Sequence, residues 1–380
     1  MSRAALALAG LLALAGCRER EEPPRPPAAT PLPSTYSAAG FWQIATGFSE
    51  PDGTWDSDNF LSDERGYQRV IPELQATLPQ GGVYVGVGPE QNFTYVAALR
   101  PKVAFIVDIR RGNLLLHLFY KALFEISEDR AGFLSKLFAR PRPAGLKADA
   151  NVSELFEAYR AVKASEPLFQ RTLVEIRDRL TNVHAFPLSA DDLLGIERVA
   201  HAFFTAGPDL DYNFPQERFG SGRVGGEPFP TYAELMTATD PAGRPRSYLA
   251  SEENFQTVAA LQRNNALIPL VGDFAGPKTL RALARFVADH GATVTAFYTS
   301  NVELYLFRSD AWKRFYANVA TFPVAVGSTF IRFCPDRVMS APDRLPGPGC
   351  TTRLGAIADL VKAVASGEVR DYYDVIERSR

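Results

Sequence analysis

Polar and glycine-rich segments follow several apolar runs of this sequence, and in open α/β sheets such strand ends hold ligands. The first segment contains four residues of interest, namely Gly86, Gly88, Glu90 and Asn92. Glycines let the backbone turn sharply and approach a ligand, and the start of the helix that follows offers free N–H groups. We therefore predict that these residues contact a ligand, with an ordinary exposed loop as the alternative for Glu90 and Asn92.

An acidic residue, Asp108, ends the second apolar run and lies twenty-two residues after Gly86. That spacing suits a carboxylate that accepts hydrogen bonds from the hydroxyl groups of a ribose. Asp108 could instead form an ion pair with Arg110 or Arg111. The two arginines could also bind a carboxylate or a phosphate, or simply face the solvent.

Two more strand ends carry polar side chains. Asp273 follows the third apolar run, where it is predicted to contact a ligand or, alternatively, to cap the helix that begins near Pro277. Ser300, Asn301 and Glu303 follow the fourth run. Three polar groups directly after a buried strand indicate the same crevice, and a simple turn between strand and helix is the alternative.

The segments that must position these residues alternate between strand and helix patterns. Short β-branched and aromatic runs predict buried strands at 82–88, 102–109, 266–272 and 292–298. Helical spacing predicts helices at 64–77, 93–99, 113–126, 252–263, 277–289, 309–318 and 353–365. Residues 322–333 are predicted as extended, and about 127–250 as a mostly helical insertion. The alternation predicts an α/β fold with a doubly wound, mostly parallel, Rossmann-like sheet.

The order of these features resembles the class I S-adenosylmethionine-dependent methyltransferases. In that fold a glycine-rich turn follows the first strand, an acid ends the second, and a Gly-Asp pair ends the third near the adenine. The resemblance implies that Asp108 holds the ribose and that Asp273 lies near the base. It also implies that Gly86 and Gly88 let the methionine part of the cofactor approach.

The methyltransferase resemblance covers about residues 80–125 and 250–310. Gln91 occupies the third glycine position, and the loop after the fourth strand lacks the Asp/Asn-Pro-Pro-aromatic motif of amino-methylating members. Three stretches also resemble a bacterial protein family of unknown function: VYVGVGPEQNFTYVAALRPKVAFIVDIRRGNLLLHLFYKALFE, LVGDFAGPKTL and FYTSNVELYLF. That second resemblance implies no particular activity.

The amino terminus predicts export and lipidation. Residues 1–16 combine one positive charge, an apolar run and a small-residue cleavage site, as secretory signal peptides do. Leu14-Ala15-Gly16-Cys17 resembles the lipobox of bacterial lipoproteins, which implies a lipid on Cys17; a cleaved signal with a chance cysteine is the alternative. Residue 18 is not Asp, so we expect outer-membrane anchoring that faces the periplasm. The Pro-rich stretch 17–34 predicts a disordered tether to a domain at 35–380.

The composition limits the partners that the protein can have. The chain contains 41 Lys and Arg against 43 Asp and Glu, without a basic run, so no nucleic-acid partner is predicted. None of the 4 histidines has a metal-ligand spacing, so no metal site is predicted, and His117 is expected to be a core residue. Cys334 and Cys350 predict a disulfide in an oxidising compartment, with two free buried thiols as the alternative.

Three functions stay open at this point. The first is a methyltransferase-like domain whose crevice binds S-adenosylmethionine or a related nucleoside and acts by positioning. The second is a non-catalytic envelope lipoprotein that binds a small ligand or a partner, which avoids the conflict between this cofactor and an envelope address. The third is a hydrolase or transferase of envelope material that uses Glu90, Asp273 and Glu303 as acid or base groups. The candidate catalytic residues are Glu90, Asn301 and Glu303.

Overall fold

A computed structural model describes residues 30–55, 58–214, 223–224, 227–334 and 351–380. Its strands are β1 (Val83–Gly86), β2 (Val103–Asp108), β3 (Arg223–Val224), β4 (Glu227–Pro228), β5 (Leu267–Val271), β6 (Val294–Ser300), β7 (Val324–Cys334) and β8 (Thr351–Ala356). Six of them form one sheet in the order β5-β2-β1-β6-β7-β8, and β3 pairs with β4 separately. Neighbours in the large sheet are parallel except for β7 and β8. The predicted doubly wound, mostly parallel, Rossmann-like α/β fold is confirmed.

Helices surround the sheet. They are α1 (Ala38–Gly47), α2 (Ile71–Thr77), α3 (Gln91–Leu99), α4 (Arg111–Glu125), α5 (Arg130–Leu137), α6 (Val152–Arg160), α7 (Glu166–Asp178), α8 (Ala190–Ala206), α9 (Tyr232–Thr237), α10 (Glu252–Arg263), α11 (Thr279–Asp289), α12 (Val302–Arg308), α13 (Trp312–Val319), α14 (Ile357–Ala365) and α15 (Tyr372–Glu377). Between α4 and α10, the described residues are mostly helical, as predicted for the segment at about 127–250.

The central strands are covered on both faces. Every residue of β1, β2 and β5 is buried, which is why these strands appear in the sequence as continuous apolar runs. Helix α4 is buried from Asn113 through Phe124 because it contacts β5, α8 and α10. The carboxyl ends of β1, β2, β5 and β6 are therefore fixed at one edge of a rigid core.

The carboxyl-terminal region differs from the helix predicted at 353–365. The first part of that segment belongs to β8, which pairs antiparallel with β7, and α14 begins only at Ile357. On its other side, Leu354 exchanges two backbone hydrogen bonds of 2.8 and 2.9 Å with Arg380. Such long-range pairing leaves no periodic signal in the sequence. Helices α1, α12 and α15 were not predicted either.

Several predictions about the chain termini and the cysteines lie outside the described residues. They concern the signal peptide at 1–16, the lipid on Cys17, the tether up to residue 29, and Cys350, and all of them stay predictions. Residues 30–34 contain neither helix nor strand. Cys334 is buried at the end of β7. Among the described helices, none is long and apolar enough to cross a bilayer.

Candidate functional site

A cavity of about 480 Å³ opens at the carboxyl ends of β1, β2, β5 and β6. We call it the strand-end pocket. Its walls come from these strand ends and from residues within 54–55 and 59–64, and they include Glu64, Gly88, Asp108, Asp273, Ser300 and Asn301. The volume lies within the range of about 300–1,000 Å³ that small-molecule sites occupy. The crevice predicted beyond the strand ends is therefore present.

Asp108 lines the pocket at the end of β2 and is 6% exposed. Its Oδ1 accepts hydrogen bonds from the backbone N–H and the Nε of Arg110, at 2.9 and 3.0 Å, and its Oδ2 accepts from Nη2 at 3.1 Å. Burial alone would lower the pKa of Arg110, but the charge and hydrogen bonds of Asp108 raise it. Arg111 pairs with Asp192 instead, at 2.6 Å. Asp108 is thus both a pocket residue and an ion-pair partner of Arg110.

The turn after β1 is held by Asn92. Its Nδ2 donates to the carbonyl oxygens of residues 87–89 at 2.7–3.3 Å, and its Oδ1 accepts from the Tyr84 hydroxyl at 2.8 Å. A Cβ on Gly86 would overlap both Asn92 and Tyr84. Gly88 has a φ of +78°, and the position of its missing Cβ is open space. The described pocket lining contains Gly88 but neither Gly86 nor Asn92. Gly86 and Asn92 support the turn, and this placement gives no support to their predicted ligand contacts.

Glu90 lies behind this turn and outside the described pocket lining. It is fully buried, and neither carboxyl oxygen has a hydrogen-bond partner among the described residues. Burial raises the pKa of Glu90 to about 8. The backbone N–H groups of Glu90 and Ser62 partly oppose this rise, although neither forms a hydrogen bond of good geometry with the carboxyl group. The negative charge of an ionised Glu90 contributes to raising the pKa of four nearby tyrosines, namely Tyr67, Tyr120, Tyr232 and Tyr248. This placement gives no support to the predicted ligand-binding and catalytic roles of Glu90.

Asp273 lines the pocket at the end of β5. Its Oδ1 accepts a hydrogen bond from the backbone N–H of Ala275 at 2.9 Å. The start of α11 is capped by another residue, because the Glu50 carboxylate accepts from the backbone N–H groups of Lys278 and Thr279 at 2.7 and 3.0 Å. The alternative role of Asp273 as a helix cap is therefore not observed, and its position supports ligand contact.

Glu303 is buried away from the described pocket lining. Its Oε2 accepts hydrogen bonds from Arg332 Nε at 2.5 Å and from the Thr299 hydroxyl at 3.0 Å. The Tyr316 hydroxyl donates to its Oε1. The carboxylate belongs to an internal ion pair, so this geometry gives no support to the predicted catalytic role of Glu303. Asn301, the other candidate on this segment, does line the pocket.

The pocket also contains a carboxyl group that sequence reasoning missed. Glu64 is 1% exposed and accepts hydrogen bonds from the Tyr298 hydroxyl at 2.7 Å, from Gln91 Nε2 at 3.1 Å and from the Ser300 hydroxyl. Burial raises the pKa of Glu64 to about 8; the three hydrogen bonds lower it and neighbouring Asp63 raises it. Asp63 lines the pocket too, and burial raises its pKa to about 6. Both carboxyl groups therefore titrate near neutral pH.

Long-range contacts bring the segment that carries Glu64 onto the strand ends. The backbone N–H of Glu50 donates to Val271 O at 2.8 Å, and that of Gly53 donates to Ile109 O at 2.8 Å. The Trp55 ring meets the Tyr305 ring edge-on, with centroids 4.6 Å apart. Because these contacts join distant parts of the chain, they leave no local pattern in the sequence. The only local signal for Glu64 was its position next to Asp63, in a region that also contains aromatic residues.

Metal-binding geometry is not found in the described part of the chain, which contains no group of three or more His, Cys, Asp or Glu side chains suited to a metal ion. His117 is 1% exposed, and its Nε2 lies 2.9 Å from Gly88 O. Its ring meets the ring of Phe93 edge-on. Burial lowers the pKa of His117 to about 4. The expectation of a packed core histidine is confirmed, and its neutral ring supports the glycine turn.

The fold and the pocket define a Rossmann-like α/β protein with a cavity at the carboxyl ends of its parallel strands. Within that class, the chain belongs to the family described as Domain of unknown function (DUF7790), whose model matches residues 60–185 and 219–353. The matched stretches include the pocket residues Glu64, Gly88, Asp108, Asp273 and Ser300. No curated protein matches the chain. The function must therefore be argued from the site itself.

Proposed function

We propose that the strand-end pocket binds S-adenosylmethionine or a related nucleoside, within a methyltransferase-like domain of an envelope lipoprotein. One observation carries this proposal: Gly88, Asp108 and Asp273, at the ends of β1, β2 and β5, surround one cavity. Their order along the chain is the one that the methyltransferase resemblance implies. The sheet order also reverses between β1 and β6, and open α/β sheets bind ligands at such a switch point.

Asp108 retains capacity for a ribose hydroxyl. A carboxylate offers about four acceptor positions. Arg110 occupies two of them on Oδ1 and one on Oδ2. The remaining position on Oδ2 can accept one hydroxyl group without breaking the pair with Arg110. A second hydroxyl requires either another acceptor or displacement of Arg110 Nη2.

The remainder of the pocket suits the other parts of such a ligand. Phe274, beside Asp273 at the end of β5, lines the cavity together with Tyr305 and Trp55, and these side chains supply aromatic surface for a purine ring. Gly88 leaves open space beside the backbone, so an uncharged or charged chain attached to the ribose can approach it closely. Methyl transfer itself depends mainly on placing donor and acceptor in line.

A second candidate is ligand binding without catalysis. Binding without catalysis is favoured because Glu90 and Glu303, two of the predicted catalytic residues, lie outside the described pocket lining. The same positions remove two of the three acids from the hydrolase or transferase hypothesis. Transfer of a labelled methyl group from S-adenosylmethionine to isolated envelope material distinguishes catalysis, which labels the material, from binding alone, which does not.

The binding proposal is tested by calorimetric titration of the full chain with S-adenosylmethionine and S-adenosylhomocysteine. We expect micromolar binding that falls at least tenfold in Asp108→Ala and in the more conservative Asp108→Asn. Asp289→Ala removes an exposed carboxylate outside the pocket and should bind as the wild type does. Absence of binding of both ligands by the folded wild-type protein would contradict the proposal.

The envelope location has its own test. We expect a lipid on Cys17, so the mature protein should partition with the outer membrane and carry fatty acids that mass spectrometry detects on its first residue. Cys17→Ala should abolish the lipid and release the protein from the membrane. A wild-type protein without lipid would leave only the pocket proposal standing.

A further inference from the structure

Among the residues that the structure describes, Glu64 has hydrogen-bond donors but no counter-ion. Its three donors, Tyr298, Ser300 and Gln91, are neutral groups. Among the described residues, no lysine or arginine forms an ion pair with Glu64. The buried arginine of the pocket, Arg110, is paired with Asp108.

The other titratable groups around Glu64 add negative charge when they ionise. They are Asp63 on the same segment and the tyrosines that interact with its charge, Tyr84, Tyr95, Tyr298 and Tyr372. A buried carboxylate is stabilised by a paired cation, and an unpaired one is costly. Within the described part of the chain no cation pairs with Glu64, although Arg110 and the exposed Arg314 line the same pocket, and the open cavity leaves space for a cation on a ligand.

Glu64 lies at the part of the pocket that is farthest along the sheet from the proposed base. Two of its donors, Tyr298 and Ser300, belong to β6, whereas Asp273 follows β5. The sheet order β5-β2-β1-β6 places β6 beyond the strand that carries Asp108. A ligand with its base near β5 and its ribose near β2 therefore extends its remaining end towards Glu64.

We propose that Glu64 determines the charge specificity of the pocket by binding a positively charged group of the ligand, either an ammonium or a sulfonium. This inference rests on the proposed function, since it concerns the same pocket. The class of ligand is thus a nucleoside with a cationic substituent on its ribose side. Asp63 lines the same pocket and adds to the negative potential there.

The titration of Glu64 gives the binding a specific pH dependence. Burial raises the pKa of Glu64 to about 8, so the group is mostly protonated at pH 7. A cation beside it favours the carboxylate, and binding must then release a proton to the buffer. Affinity for a cationic ligand should therefore increase with pH between 6.5 and 9, by about tenfold for each unit by which the bound cation lowers the pKa of Glu64.

Three probes distinguish the possible sources of the charge in calorimetric titrations of the full chain. S-adenosylmethionine carries a sulfonium and an ammonium, S-adenosylhomocysteine carries only the ammonium, and 5′-methylthioadenosine carries neither. The variant is Glu64→Gln. The matched control is Glu90→Gln, which removes an equally buried glutamate, also with its pKa raised to about 8, from outside the pocket.

We expect Glu64→Gln to bind S-adenosylmethionine at least tenfold more weakly, without proton release, and to bind 5′-methylthioadenosine with unchanged affinity. A matching loss for S-adenosylhomocysteine identifies the ammonium as the bound cation, and no loss identifies the sulfonium. Glu90→Gln should behave as the wild type. Equal changes for all three probes, or no change for any, would overturn the inference while leaving the pocket proposal intact. If the wild type binds none of the probes, both proposals fail.

Discussion

Two buried glutamates at the end of β6 have similar neighbours and different partners. Glu64 accepts hydrogen bonds from the hydroxyls of Tyr298 and Ser300, and Glu303 accepts them from the hydroxyls of Tyr316 and Thr299. Thr299 and Ser300 are consecutive, so the two glutamates lie on different sides of the same strand end. The third donor to Glu64 is the neutral Gln91, whereas the third donor to Glu303 is the cation of Arg332.

This difference separates a structural carboxylate from a binding one. Arg332 neutralises Glu303 within the core, and it also donates through Nη1 to Ser379 at 3.1 Å, which connects β7 with the carboxyl-terminal helix region. Glu64 has no cation from the described chain and lines an open cavity. A carboxylate that the fold has already paired stabilises the fold, and one that is left unpaired beside a cavity can select a ligand.

The largest expected effect comes from removing the internal cation. Arg332→Leu leaves Glu303 buried without its partner, which should lower the free energy of unfolding by about 3–5 kcal/mol. Urea unfolding at pH 7 measures this loss. The double variant Glu303→Met/Arg332→Met removes both charges and should recover much of the stability. A single variant as stable as the wild type would show that the pair does not stabilise the fold.

A pH-dependent effect of a few kcal/mol is expected from Glu64→Gln. The pKa of Glu64 is raised from 4.5 to about 8, so between these values the folded protein binds more protons than the unfolded chain. Wild-type stability must therefore fall as the pH rises through this range, by about 1.4 kcal/mol for each unit of pKa shift. Glutamine does not titrate, so the variant should lose less stability between pH 5 and 9. Parallel stability profiles from urea unfolding would contradict the assignment.

A tenfold effect on binding is expected when Glu64 is given a cation of its own. Gln91→Lys places an ammonium where the neutral amide now donates to Glu64. The pocket then resembles the paired arrangement of Glu303, and S-adenosylmethionine should bind about tenfold more weakly, which corresponds to about 1.4 kcal/mol. Calorimetry against 5′-methylthioadenosine, whose affinity should not change, controls for damage to the pocket. Unchanged affinity for the cationic ligand would show that Glu64 does not bind its charged group.

The smallest expected difference is the one between removal of the two tyrosine hydroxyls. Tyr316→Phe removes a hydrogen bond to a carboxylate that is paired with an arginine, and hydrogen bonds to charged groups contribute about 1.5–3 kcal/mol. Tyr298→Phe removes one to a group that is mostly protonated at pH 7, where about 0.5–1.5 kcal/mol is typical. Unfolding at pH 7 should therefore show the larger loss for Tyr316→Phe. The reverse order would be evidence against the two assignments.

Much of the fold and part of the site could be predicted from the sequence. Continuous apolar runs identified β1, β2, β5 and β6, because parallel strands covered on both faces have that pattern. Gly88, Asp108 and Asp273 were then placed at one crevice by topology alone. The direction of each side chain was not accessible in this way. Asn92 and Glu303 follow the same strand ends, but their side chains form hydrogen bonds inside the fold and do not belong to the described pocket lining.

The residue that matters most for the inferred specificity could not be found by pattern. Glu64 is the first residue of the helix predicted at 64–77, but α2 begins only at Ile71, and the position of Glu64 depends on contacts such as Glu50 with the start of α11. Strand β8 was not predicted for the same reason. Its hydrogen-bond partners, β7 and Arg380, are distant from it in sequence. Local signals specify the elements, and long-range hydrogen bonds decide what surrounds the pocket.

A crystal structure of the protein with S-adenosylmethionine or S-adenosylhomocysteine tests the central claim most directly. We expect electron density for the nucleoside in the strand-end pocket, with a ribose hydroxyl bonded to Asp108 Oδ2, the base near Asp273 and the charged end beside Glu64. An empty pocket at saturating ligand, or a nucleoside bound elsewhere on the molecule, would contradict it.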